Sequence, residues 1–270
     1  MTGGARKKLV IKAGGALLDS AETRGRLAAE FVEITREWKL AVVHGGGKQV
    51  TQFLERQGIE SRFVRGLRVS DEPVIDAVLQ IIAGRVNKRL VASILAAGGA
   101  AVGISGVDAA LTIASRMDEA MGWVGRAERT DGRLFDALTD AGYLPVTACV
   151  AGDLAGNIYN VNADQMAVSC ALGWGAERLL FLTDVAGVKG GGGSVLHEIR
   201  PEQAGRLIEA GIVRGGMQAK LEAAFAALRA GMAEVIVAPG EEPGVCRRIL
   251  EGETLGTRLS GTARERSVTV

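Results

Sequence analysis

The chain has 270 residues, 47% apolar and 23% charged, and its 32 basic against 31 acidic side chains leave a formal net charge of +1. This is ordinary composition for a folded globular protein with an ample core; near-neutral charge and only 4% aromatics argue against nucleic acid or a membrane surface as partner. Three cysteines with no C-x-x-C and two histidines exclude a zinc ribbon or disulfide framework, fit a reducing cytoplasm, and leave no metal site to expect from the protein itself.

In chain order, the basic start is followed by too short an apolar run for a signal peptide. Leu9-Val-Ile-Lys12 predicts a first strand, closed by Ala13-Gly14-Gly15. Ala28, Phe31, Val32 and Trp38 lie near helical spacing. A second strand, Leu40-Ala-Val-Val43, runs into His44-Gly45-Gly46-Gly47. Val50, Phe53 and Leu54 begin another helix. The longest helix is expected after Ser70-Asp71, with Pro73 in its first turn and Gly98 just past its end. Its apolar stripe is Val74, Val78, Ile82, Val86, Leu90 and Ile94. Residues 90–107 lack charge, but Gly98-Gly99 interrupts them, which reads as a helix end and a strand at 100–104 rather than a membrane span. A polar stretch at 157–165 precedes an apolar helix at 166–172. A strand at 179–182, a flexible Gly190–Gly193 loop, helices at 201–210 and 217–230 and a strand at 234–238 complete the series.

The strands are continuously apolar, as when both faces are covered by helices. The expected fold is therefore α/β: a three-layer αβα sandwich with a mainly parallel central sheet, whose ligands collect at the carboxyl ends of the strands. A weak seam near Gly173–Gly175 suggests lobes of residues 1–175 and 176–270.

Glycine clusters follow three of these strands. Each exposes backbone N–H groups beside a helix start and suits either a tight turn or an anion. The Walker A pattern fails, because Gln49 follows Lys48 and no glycine stands five places before Gly47. Lys48 reads as a solvated helix residue. Asn160, Asn162 and Asp164 suit turns and caps as well as they suit a polar ligand. Lys220, taken by itself, reads as a surface lysine.

Five motifs occur in order: K-x-G-G at Lys12, H-G-G-G at His44, Gly66-Leu-Arg68-Val-Ser70, Asn160-Val-Asn162-Ala-Asp164 and Gly216-Met-x-x-Lys220. Together, from about Leu9 to about Leu259, they resemble the amino acid kinase family. Each is generic alone; the G-L-R-V-S and N-V-N-A-D-Q pair resembles the members acting on N-acetylglutamate. The resemblance implies that a side-chain carboxylate attacks the γ-phosphate of ATP, with Mg2+ carried by the nucleotide. A carboxylate of pKa about 4.3 is already ionised and needs no general base. By the same resemblance Lys12 and Lys220 lie on the phosphate and Asp164 holds both. Gly14, Gly15 and Gly46 bind the phosphoryl group, and Gly46, Gly47, Arg68 and Asn160 bind acetylglutamate. Thr183, Asp184, Gly187 and Gly216 bind the nucleotide. The first lobe then takes the acyl amino acid and makes the subunit contact, and the second takes ATP.

Ala13, Val107, Ala109-Ala110 and the Gly190–Gly193 run depart from the family pattern. Arginine-inhibited members carry an extra N-terminal helix that links dimers into a ring of six. Met1 to Lys8, with Gly3-Gly4, is too short for one, so a homodimer insensitive to arginine is expected, with the long helix offering a face to the second subunit. A carrier-linked aminoadipate kinase and a non-catalytic amino-acid-binding regulator on the same fold remain alternatives; aspartokinase and the carbamate and uridylate kinases match less well.

Overall fold

A computed structural model describes residues 6–261. The five expected strands are present as Lys8–Ala13, Lys39–His44, Ala101–Ser105, Arg178–Thr183 and Glu234–Pro239. A sixth, Leu144–Ala148, escapes the sequence pattern because a proline and a threonine interrupt its apolar run. With two short edge strands they form one sheet, in the order Glu198–Ile199, Thr257–Leu259, Glu234–Pro239, Arg178–Thr183, Lys8–Ala13, Lys39–His44, Leu144–Ala148, Ala101–Ser105. Neighbours run parallel except where Thr257–Leu259 meets Glu234–Pro239. Leu9, Val10, Ile11, Ala41, Val42, Val43 and Leu179 to Leu182 are wholly buried. Helices Ala21–Ile34 and Gly47–Arg56 and the long helix cover one face; Arg133–Asp140, Ala163–Trp174 and Gly215–Arg229 cover the other. The expected three layers are all there.

The sheet order reverses at the first strand. The chain leaves Lys8–Ala13 toward Lys39–His44 on one side and later returns to Arg178–Thr183 on the other. A crevice opens at the carboxyl end of such a switch point. The seam at Gly175, a left-handed helix terminus with φ +67°, is crossed at once, because Arg178–Thr183 pairs directly with Lys8–Ala13.

The long helix runs unbroken from Glu72 to Ala96. Asp71 caps it by accepting the Val74 N–H at 3.3 Å, and Gly98 turns the chain away at φ +83°. Its middle, Leu79–Val86, is a π-helix between two α segments. The six stripe residues stand four apart. In a straight α-helix each four-residue step overshoots a full turn by about 40°, so the stripe would wander by roughly 200°. Wider i→i+5 winding turns the other way and keeps all six on one side. All six are at least nine-tenths buried within this chain. The stripe is thus packed inside this chain, against its own helices and strands, and any face the helix offers a second subunit is a different one.

Four short strands, Thr112–Arg116, Val124–Thr130, Val150–Gly152 and Ile158–Val161, close a small barrel, and Phe63–Val64 pairs with Leu67–Arg68 in a hairpin. Neither was anticipated. Among the described residues no helix is long and apolar enough to cross a membrane. The expectation resting on Met1 to Lys8 falls largely on Met1 to Ala5, outside the described residues.

Candidate active site

Gly14 and Gly15, Gly45 to Gly47, and Thr183 and Asp184 all leave the carboxyl edge of three adjacent strands. The Gly14 N–H donates to the Leu182 carbonyl at 3.1 Å. A side chain at Gly15 would lie 3.5 Å from the Gly46 backbone, and one at Gly46 would lie 3.2 Å from Ile82 and Val86. Gly46 therefore lies close against the long helix, while the two glycine loops stand in ordinary van der Waals contact. At Gly47 the space is open.

Lys12, next to last in its strand, places Nζ 2.9 Å from Asp164 Oδ1, and Lys220 Nζ reaches both oxygens of Asp164 at 2.9 Å. Asp164 stands in the first turn of Ala163–Trp174, whose cap is Asn162: its Oδ1 accepts the N–H groups of Asp164 and Gln165 at 2.9 and 3.2 Å. The polar stretch thus divides its roles between a capping asparagine and an aspartate that faces two lysines. All three charged residues are more than nine-tenths buried. Burial alone would raise the Asp164 carboxyl, yet the two ammonium groups hold it below its ordinary value. Burial, and then Lys12, push the Lys220 ammonium down to about 8, against the pull of Asp164. Lys220 also lies 5.0 Å from the centre of the Phe181 ring. It is no surface lysine; only packing of its helix against the sheet turns it inward.

Arg68 is buried as well. Nη2 donates to the Gly47 carbonyl at 2.8 Å and to Thr51 Oγ1 at 2.7 Å, and Nη1 donates to Ser61 Oγ at 2.6 Å. Phe63 stacks on the guanidinium at 4.7 Å. Among the described residues every partner is neutral and none makes a salt bridge to Arg68, and burial lowers its pKa. On the barrel, Asn160 donates to Ser70 Oγ at 3.0 Å, and Ser70 donates to the Arg68 carbonyl at 2.9 Å.

A cleft of about 220 Å³ is lined by Lys12, Gly15, Gly46, Gly47, Arg68 and Asn160, with Asp164 and Lys220 at its Lys12 end. Apolar Phe63, Val78, Ile82 and Val124 and the Cys149 thiol complete the wall. The sequence reading missed these, since apolar positions in helix and barrel carry no local mark of facing a cleft. Thr183, Asp184, Gly187 and Gly216 do not join this cleft. Thr183 Oγ1 donates to Asp184 Oδ1 at 3.1 Å at the end of the neighbouring strand. Gly187 has φ +150° and abuts Thr257, and Gly216 is second in its helix. Lys48 is exposed near Asp19, as expected. Among the described residues no cluster of acidic, histidine or cysteine side chains could hold a metal.

Chemically, two buried ammonium groups joined by one carboxylate leave a net positive charge beside a cleft whose wall also holds a guanidinium with no acidic partner among the described residues. Such a site suits anionic groups. Residues 7–239 match the model of the amino acid kinase family. The chain is 51% identical to an acetylglutamate kinase of Solibacter usitatus (strain Ellin6076), over 93% of this chain and 98% of that one. It is 42% identical to an acetylglutamate kinase of Methanopyrus kandleri, over 84% and 93%. Among solved structures, N-acetylglutamate synthase from Neisseria gonorrhoeae with coenzyme A and N-acetyl-glutamate superposes with a TM-score of 0.85 at 25% identity. The match takes in 96% of this chain and 60% of that one.

Proposed function

The chain belongs to the amino acid kinase family, and from that premise we propose that it transfers the γ-phosphoryl group of ATP to the side-chain carboxylate of N-acetyl-L-glutamate, a step of arginine biosynthesis. The observation that carries this is the buried Lys12–Asp164–Lys220 cluster at the end of the cleft.

An anionic nucleophile must meet an anionic phosphoryl group, so positioning and charge stabilisation carry the catalysis. Arg68 pairs with the α-carboxylate of the acceptor, because its buried fork has no acidic partner among the described residues. Gly46, Gly47 and Asn160 hold the rest of that substrate. Lys12 offsets charge on the nucleophile side and Lys220 on the ADP side, with Asp164 keeping both in place. Backbone N–H groups of Gly14, Gly15 and Gly46 receive the transferring phosphoryl oxygens. Thr183, Asp184, Gly187 and Gly216 hold the nucleotide. Mg2+ enters on the phosphates as part of the substrate, which suits a site built from lysines and glycines.

Residues 1–175 are the acceptor half and residues 176–270 the nucleotide half. That division follows the sheet: the earlier strands occupy one side of the switch point and the later ones the other. Buried free thiols at Cys149, Cys170 and Cys246 suit a reducing cytoplasm. A homodimer draws support from the open edge of Ala101–Ser105 at the end of the sheet, since an unpaired edge is a template for association.

Purified protein with Mg-ATP and a panel of acceptors, with hydroxylamine trapping the acyl phosphate, tests the reading. N-acetylglutamate should be turned over well and free glutamate poorly. Equal turnover of both, or preference for a carrier-linked aminoadipate, would overturn the substrate assignment.

A further inference from the structure

His44 ends its strand fully buried, and the mechanism above gives its ring nothing to do. Nδ1 lies 3.0 Å from the Gly45 carbonyl oxygen, and Nε2 lies 3.0 Å from Asn87 Nδ2. A carbonyl can only accept and an amide nitrogen can only donate. The ring must then be neutral, with its proton on Nδ1. Asn87 is itself held: Nδ2 also donates to the Val146 carbonyl at 2.8 Å, and Oδ1 accepts from Lys88 at 3.2 Å. Asn87 begins the α segment directly after the π segment, whose Ile82 and Val86 would lie 3.2 Å from a side chain at Gly46.

The Gly45 carbonyl and the Gly46 N–H belong to one planar trans peptide, so they point in opposite directions. A carbonyl drawn toward the core by His44 turns the Gly46 N–H outward, toward the cleft that Gly46 lines. We propose that His44, braced by Asn87, is a positioning residue that fixes the Gly45–Gly46 peptide with its N–H aimed at the phosphoryl group. This rests on the phosphoryl-transfer reading of the same cleft.

A protonated ring would have to donate from Nε2 into the Asn87 amide, which has only hydrogens to offer there. The ammonium groups of Lys12 and Lys88 also face the imidazole, and burial and these two charges lower its pKa to about 4. The Gly45 carbonyl opposes them. The peptide orientation therefore holds across the working pH range.

The chain has two histidines, so 15N-histidine labelling gives two ring systems, and a His197→Gln variant assigns them. His44 should show a protonated Nδ1 and a bare Nε2, unchanged from about pH 6 to 8.5. His44→Asn keeps a donor near the Gly45 carbonyl and loses Asn87; His44→Gln keeps an acceptor near Asn87 and loses Gly45. Both should lower kcat, His44→Gln by about 100-fold, the lower end for losing one backbone donor to the transition state. His44→Asn should retain several-fold more, and acetylglutamate KM should move less than about threefold in each. A protonated Nε2, a ring that titrates near its ordinary value, or His44→Gln with wild-type kcat would overturn the proposal. Wild-type protein without kinase activity would instead overturn the functional reading, and the labelled rings would still report on the brace.

Discussion

Two ammonium groups share the one carboxylate of Asp164, so a buried cluster carries one uncompensated positive charge. Such a charge works against folding and is useful only when a phosphate arrives. Lys220→Met keeps the length and the packing on Phe181 while removing the excess charge. It should lower kcat on the order of 10²–10³-fold and leave the Tm at or above that of the wild type. A matching fall in Tm would mean that Lys220 is there for stability. The depressed Lys220 pKa sets a second expectation. Its ammonium is the active form and is lost as pH rises, so kcat/KM should fall above about pH 8. Lys220→Arg should move that limb upward; a profile flat to pH 10 would contradict the assignment. Arg68→Lys keeps the charge but not the fork on Gly47, Thr51 and Ser61. Acetylglutamate KM should rise with ATP KM nearly constant, as initial-rate kinetics would show.

At the scale of elements, backbone conformation explains two places where the chain departs from easy geometry. Val64 and Leu67 are joined by Arg65 and Gly66, at φ +49° and +79°, the pairing a two-residue I′ turn demands. This turn carries Arg68 back over the cleft. Ala109 and Ala110, where the chain departs from the family pattern, are left-handed at φ +51° and +52°, a conformation that glycine adopts more readily than alanine. An alanine there costs about 1–2 kcal/mol, partly offset by the greater chain entropy of glycine when unfolded. Ala109→Gly should therefore stabilise by about 0.5–1 kcal/mol, or roughly 1–3 °C in Tm for a chain of this size. Calorimetry showing a lower Tm would refute the strain. The π segment belongs to the same scale. Its trace in the sequence is an apolar stripe with strict four-residue spacing, which no straight α-helix can keep on one face.

Across the whole molecule, the sheet ends at Ala101–Ser105, one side of which is unpaired among the described residues, and Leu95 and Tyr143 are exposed. With the stripe of the long helix already buried inside the chain, this edge is the surface that argues for a homodimer. Light scattering should give twice the 28.1 kDa chain mass. A monomer or a hexamer would rule out the dimer.

Five strands of the sheet and most of its covering helices were legible from sequence, because a strand buried on both faces is usually apolar throughout and a helix on a sheet carries an apolar stripe; Leu144–Ala148, with its proline and threonine, and helix Arg133–Asp140 were not. The missing side chains likewise marked Gly14, Gly15 and Gly46 as places for a tight turn or an anion. The sequence could not say that Lys220 turns inward or that the hydrogen-bond partners of Arg68 among the described residues are all neutral. Nor could it say that Thr183 and Asp184 lie outside the acceptor cleft, or that Asn87 braces His44 across 43 positions. Burial and pairing of a polar side chain depend on what the rest of the fold brings against it, and those partners are distant in the chain.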